Sequence, residues 1–108
     1  MAFVRKQVAT YKWPVTVEIP ADGGKFEKHT FDAVFKRLGR TKFSELVDKG
    51  DTELLEGVLE GWEGIVDENG KDIAFTVATR KDLFDDPYFC RAVVKAYLQS
   101  LEGAPAKN

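Results

Sequence analysis

The residues able to do chemistry are few in this chain and far apart. It holds one histidine, His29, and one cysteine, Cys90. A Cys/His nucleophile needs a third group to orient its base. Cys90 also falls within an apolar helical pattern, where a lone cysteine packs as a small buried hydrophobe. His29, between Lys28 and Thr30, reads as a surface residue of a strand. Zinc sites gather several Cys and His ligands at close spacing, so no metal site is expected. Asp85 and Asp86 are adjacent carboxylates ahead of Pro87. Neighbours at a helix end point apart, which suits solvation better than shared acid–base work. A phosphate cradle sets its glycines between a strand and a helix N-terminus. Gly23-Gly24 instead falls in a hairpin turn, and Gly57, Gly61 and Gly64 lie inside or at the end of a helical run. The expectation is a non-enzyme without catalytic, metal or cofactor residues.

Composition narrows the class further. The 108 residues suit one domain, and 44% of them are hydrophobic, including eight Phe, three Tyr and two Trp. That is enough apolar surface to bury a core. Sixteen basic residues against eighteen acidic leave a net charge of −2, where nucleic-acid binders usually carry a basic surplus. Lys36, Arg37, Arg40 and Lys42 cluster in sequence and read as a solvated face. One cysteine permits no intrachain disulfide and fits a reducing compartment. Residues Met1–Lys6 lack the apolar core of a signal peptide, and no apolar run reaches the roughly 20 residues of a membrane span. A cytoplasmic location is expected, with no nucleic-acid or membrane partner.

The elements that would position any site read as α+β. Val15, Val17 and Ile19 alternate with Thr16 and Glu18, the period-two pattern of a half-buried strand, and Pro14 suits its start or an edge. Pro20-Ala21-Asp22-Gly23-Gly24 is a turn cluster, and a second strand follows from about 26 to 35 with Phe31, Ala33 and Phe35 on one face. Phe31, Val34, Phe35 and Leu38 also fit helical spacing; strand is preferred because the run leaves a hairpin turn. About four short helices then follow. Thr41 is a candidate cap for a helix carrying Phe43, Leu46 and Val47 inward and ending at Gly50. Asp51 is a candidate cap for the next, whose apolar stripe is Leu54, Leu55, Val58, Leu59 and Trp62. Gly57, Gly61 and Gly64 each cost about 1 kcal/mol there, so either another chain segment approaches closely or the helix frays after Trp62. Asn69-Gly70 marks a tight reversal with positive φ at both residues, ahead of an extended stretch at Ile73 and Phe75. Thr76 caps a helix over 77–84, and Pro87 opens a last one reaching Leu101, closed by Gly103. Residues 1–103 form a single domain and 104–108 a disordered tail. Trp62, Phe75, Phe84, Phe89, Val93 and Tyr97 are the expected core.

The last helix carries more apolar surface than one contact needs. Arg91, Lys95, Gln99 and Glu102 share one narrow stripe; the remaining arc, about 240° wide at about 100° per residue, is apolar except for Ser100. Either the helix is sandwiched in the core, or the edge formed by Val94, Leu98 and Leu101 is left for a partner.

The order of these segments over residues 13–102 resembles that of tail assembly chaperones of siphophage-type bacteriophages and prophages. The resemblance runs through Val15-Thr16-Val17-Glu18-Ile19-Pro20, the Gly23-Gly24-Lys25 turn and Thr30-Phe31-Asp32-Ala33-Val34-Phe35-Lys36-Arg37-Leu38. It resumes at Val58-Leu59-Glu60-Gly61-Trp62-Glu63-Gly64-Ile65-Val66-Asp67-Glu68-Asn69-Gly70-Lys71. It closes on Phe75-Thr76, Leu83-Phe84-Asp85, Pro87-Tyr88-Phe89 and Arg91-Ala92-Val93-Val94-Lys95-Ala96-Tyr97. Val77-Ala78 departs from the Pro-Glu often found there in such proteins. The resemblance implies a non-catalytic factor in the bacterial host cytoplasm that keeps the helix-rich tape measure protein soluble during tail tube assembly. It implies absence from the mature virion, a translationally frameshifted longer product in many cases, and contact with the major tail tube protein or with copies of itself. A structural virion component, such as a tail or head–tail connector subunit, is the alternative.

Overall fold

The structure is a computed structural model and describes residues 2–3 and 9–102. The expected helix stop at Gly103 and the tail 104–108 lie outside the described residues. Among the described residues the chain is α+β: β1 (Thr10–Ala21), β2 (Lys25–Lys36), α1 (Arg40–Lys49), α2 (Asp51–Val58), β3 (Leu59–Glu63), α3 (Val77–Phe84) and α4 (Pro87–Ser100). The strands form one antiparallel sheet in the order β1-β2-β3.

The alternation of Val15 and Val17 builds the hairpin as expected, opposite Phe31 and His29. Both strands are longer than the expected 15–19 and 26–35. β1 starts five residues earlier, so Pro14 lies within an edge strand, where its missing N–H is tolerated. The run 31–36 is strand, and the helical spacing of Phe31, Val34, Phe35 and Leu38 is coincidental: Phe31, Ala33 and Phe35 are buried while Asp32 and Lys36 are exposed. Gly23 and Gly24 turn the hairpin with φ of 82° and 75°.

The hairpin outruns the core. Twelve residues of strand extend about 40 Å, and the molecule measures 49 × 30 × 27 Å. β3 pairs only with Asp32–Phe35 of β2, and Lys25–Thr30 are exposed throughout. The distal half of the hairpin is therefore a two-stranded arm.

β3 corrects the expected helix through Trp62. The helix ends at Val58, and Leu59 and Trp62 enter the core from a strand whose register breaks between Val34 and Phe35. The glycines show why. A Cβ on Gly57 would overlap Cδ1 of Leu46, and one on Gly61 would meet Val34 at 3.7 Å. Close approach thus explains Gly57, and leaving the helix explains Gly61.

Helix caps follow the sequence in the second half and not in the first. Gly39 caps α1 and Gly50 caps α2, neither with a side-chain bond, so Thr41 and Asp51 sit inside their helices. Asp51 and Glu53 still favour the α2 dipole from its first turn. Gly50, at φ 110°, both ends α1 and starts α2. Thr76 caps α3 reciprocally with Thr79: each side chain accepts from the other's backbone N–H, at 3.1 and 2.9 Å. In the 67–70 turn Gly70 alone has positive φ. Asp67 Oδ1 accepts there from the backbone of Asn69 and Lys71, which relieves Asn69 of the left-handed geometry expected of it.

One core joins sheet and helices. Trp62, Phe89, Val93 and Tyr97 are buried as expected; Phe75 and Phe84 are only half-buried. Phe84 belongs to α3, which has no buried residue and lies on the rim. Phe75 packs edge-on to Trp62 at 4.7 Å, and the indole N–H of Trp62 donates to the Ile73 carbonyl at 2.7 Å.

Candidate functional site

The inner face of α4 fixes its outer one. Asp86 is the N-cap, its Oδ1 accepting from the backbone N–H of Tyr88 at 2.9 Å and of Phe89 at 3.4 Å, with Pro87 in the first turn. Phe89 then stacks on Phe31 of β2, with centroids 5.5 Å apart and planes at 11°. Two turns on, Tyr97 meets Phe35 edge-on at 5.1 Å. At the C-terminal end Ser100 Oγ donates to the Tyr97 carbonyl at 2.6 Å. That spends its one proton, so the Tyr11 hydroxyl donates to Ser100 Oγ at 2.7 Å. Ser100, the interruption in the apolar arc, ties α4 to β1. Burial pushes the Tyr97 phenol up to about 12, with Tyr11 adding to the shift.

With that face committed, Val94, Leu98 and Leu101 differ in exposure. Val94 is half-buried, Leu98 is 42% exposed and Leu101 is 55% exposed. Val94 and Leu98 share a shallow cleft rimmed by Arg91, Lys95, Gln99 and Glu102 and walled by Asp51 of α2. Leu101 lies beyond it, in the turn that ends α4, where its N–H donates to the Leu98 carbonyl. No hairpin residue lines the cleft; the sheet packs on the opposite side of α4.

Besides Phe3 near the N-terminus, two exposed aromatics lie on the folded body without having been marked as surface by the sequence. Phe26, on the arm, is 61% exposed and Tyr88, at the start of α4, is 42% exposed. Strand parity carries the signal for Phe26. Phe31, Ala33 and Phe35 face inward at odd positions, so an even position faces out.

The residues weighed for chemistry stay apart. His29 is exposed on the arm, with Nε2 3.3 Å from Glu27 Oε2. Cys90, expected to be buried, is half-buried because it sits on the flank of α4 facing α3, and its Sγ donates to the Phe84 carbonyl at 3.1 Å. Burial chiefly, with Asp86, Asp51 and Asp85 nearby, pushes its thiol up, and a protonated thiol is a poor nucleophile. Asp86 is spent on the α4 cap, and Asp85 ends α3. Lys36, Arg37, Arg40 and Lys42 are exposed around the β2–α1 junction, with Lys42 3.9 Å from Glu45. Among the described residues no three His, Cys, Asp or Glu side chains form a metal-binding group. Within the same residues no helix is long and apolar enough to cross a membrane. The outer face of α4 leaves Leu98 and Leu101 in solvent.

No protein-family model matches this chain, and no match is found among curated proteins or solved structures.

Proposed function

We propose that this protein is a non-catalytic tail assembly chaperone of the siphophage type, which holds amphipathic helices of a tape measure protein in solution until the tail tube forms around them. The observation that carries the reading is the exposure of Leu98 and Leu101 on a helix whose opposite face is already filled. A tape measure helix presents an apolar stripe that aggregates if uncovered. A helix-in-groove contact would cover it, the visitor's i, i+3 and i+4 side chains entering beside Val94 and Leu98. The resemblance in segment order to such chaperones over residues 13–102 supports the same reading, under which the protein would act in the host cytoplasm and stay out of the finished particle.

Leu98→Glu tests it. Because Leu98 is half in solvent, the charged variant should fold normally by circular dichroism. Co-expressed with a tape measure segment, it should leave that segment in the pellet where the parent keeps it in the supernatant. A folded Leu98→Glu variant that keeps the segment soluble refutes the reading. Detection of the protein at fixed stoichiometry in purified particles would transfer it to the structural virion components.

A further inference from the structure

A second groove lies on the other side of the Arg91–Lys95 ridge, between α4 and the hairpin arm, with a volume of about 370 Å³. Its α4 wall is the stripe Tyr88, Ala92 and Ala96 with Arg91, Lys95 and Gln99, a run at i, i+3, i+4, i+7, i+8 and i+11 that occupies one helical face. Its other wall comes from even positions of the hairpin, with Pro14 and Thr16 at the floor and Phe26, Glu18 and Lys28 at the lip. Alanines at 92 and 96 keep α4 close to β1, and the exposed rings of Phe26 and Tyr88 border the opening.

The charges in this groove run against those of the chain. Lys28, Arg91 and Lys95 line it with one carboxylate, Glu18, in a protein whose net charge is −2; Asp51 and Glu102 lie by the same two α4 cations on the outer cleft. Glu18 already lies across the hairpin from Lys28, 3.9 Å away. Among the described residues neither Arg91 nor Lys95 has a carboxylate within ion-pair distance. The two cations stand one helical turn apart, a rise of about 6 Å. Carboxylates at i and i+4 of a second helix have the same spacing.

We infer that this groove seats an acidic amphipathic helix: an apolar side chain enters between Phe26 and Tyr88, and two carboxylates one turn apart meet Arg91 and Lys95. The inference rests on the chaperone reading and deepens it, since it gives the visiting helix a charge and a register. Nucleic acid is the less suitable occupant. Its phosphates would meet the cations but also the Glu18 carboxylate of the same groove, in a chain that lacks the basic surplus of nucleic-acid binders.

The test uses the full chain and three labelled helical peptides of identical apolar stripe, carrying Glu, Gln or Lys at the two flanking positions, with an oligothymidylate of similar length as competitor. Anisotropy should show the Glu peptide binding at least about tenfold more tightly than the Gln peptide, with the advantage shrinking as salt rises. The Lys peptide should not bind. Arg91→Gln/Lys95→Gln, which conserves size on an exposed face, should remove the preference for Glu, and Phe26→Ser should weaken the Glu and Gln peptides alike. Equal binding of all three peptides overturns the inference, as does an unchanged preference in the double variant or displacement by the oligonucleotide. So does a dimer in sedimentation that Phe26→Ser dissolves, since the occupant would then be a second copy. Leu98→Glu separates the two claims. If charge preference is absent while Leu98→Glu still strands the tape measure segment, the chaperone reading stands and the acidic register falls. If charge preference holds while Leu98→Glu is harmless, the groove remains a site for an acidic helix and the chaperone reading falls.

Discussion

Phe89→Ala is the substitution whose cost the structure specifies most closely. The ring is buried, stacked on Phe31 at 5.5 Å, edge-on to Trp62 at 6.2 Å and tilted against Phe84 at 6.4 Å. Truncation removes its transfer free energy and leaves a cavity among aromatic rings that cannot collapse without breaking their own contacts. Substitutions of this kind cost about 3–5 kcal/mol. The aromatic pairings, each about 0.5–1.5 kcal/mol, lie inside that figure. A domain of this length has about 5–15 kcal/mol in total, so roughly a fifth or more of the stability should go. At about 4–8 °C per kcal/mol, the melting midpoint should fall by more than about 12 °C. Urea unfolding should show a lower midpoint at unchanged slope, because the surface exposed on unfolding is nearly the same. Phe84→Ala, on the rim, is the internal comparison and should lose clearly less. A Phe89→Ala midpoint within about 3 °C of the parent would show that α4 is not anchored where the structure places it.

Three further outcomes are expected. Asp86→Ala removes the acceptor for two backbone N–H groups of α4 and should cost about 1 kcal/mol by urea titration; no measurable change would discount the cap. Gly57→Ala gains about 1 kcal/mol of helix propensity but drives a methyl into Leu46, an overpacking that costs about 1–3 kcal/mol. The variant should be destabilised alone and become stabilising in a Leu46→Ala background, and additive effects would refute the contact. The Tyr97 phenol is held protonated in the fold, up to about 12, whereas an unfolded tyrosine ionises near pH ~10. Its contribution is therefore intact below about pH 10 and lost as pH rises from there through about 12, because the unfolded chain sheds a proton that the folded one keeps. Urea midpoints compared at about pH 9 and about pH 11 should fall less in Tyr97→Phe than in the parent.

What could be read from the sequence was local. Val15, Val17 and Gly23-Gly24 specify a hairpin because alternation and positive φ are decided within a few residues. Thr76 and Pro87 locate helix starts for the same reason. β3 was hidden because Leu54, Leu55, Val58, Leu59 and Trp62 keep helical spacing across a helix–strand boundary. Only Gly57 and Gly61 argue against a continuous helix, and the pairing that makes β3 a strand comes from residues about thirty positions away. The excess apolar arc of α4 pointed to Leu98 and Leu101, and both are at the surface. Val94 is more enclosed because it packs against the edge of the core cluster, a tertiary fact without a signature in α4 itself. The groove beside the arm was out of reach because it depends on how far the hairpin overhangs the core.

The bond between Tyr11 and Ser100 joins residues 89 apart in sequence, and this bears on how the protein is made. At about 5–20 residues per second, a ribosome delivers α4 about 4–18 seconds after β1. A hairpin closes in about 1–10 μs. The nascent ribbon therefore waits through most of synthesis with Val15, Val17, Phe31 and Phe35 uncovered, since α4 is the element that packs along β1. Its unpaired β2 edge carries Lys25 and Lys28, both exposed, and lysines on an open edge deter sheet-to-sheet pairing. The arm thus protects its own chain during the interval before the last helix arrives. Replacing both lysines by threonine should leave the melting midpoint of the finished protein nearly unchanged while moving newly made chains into inclusion bodies.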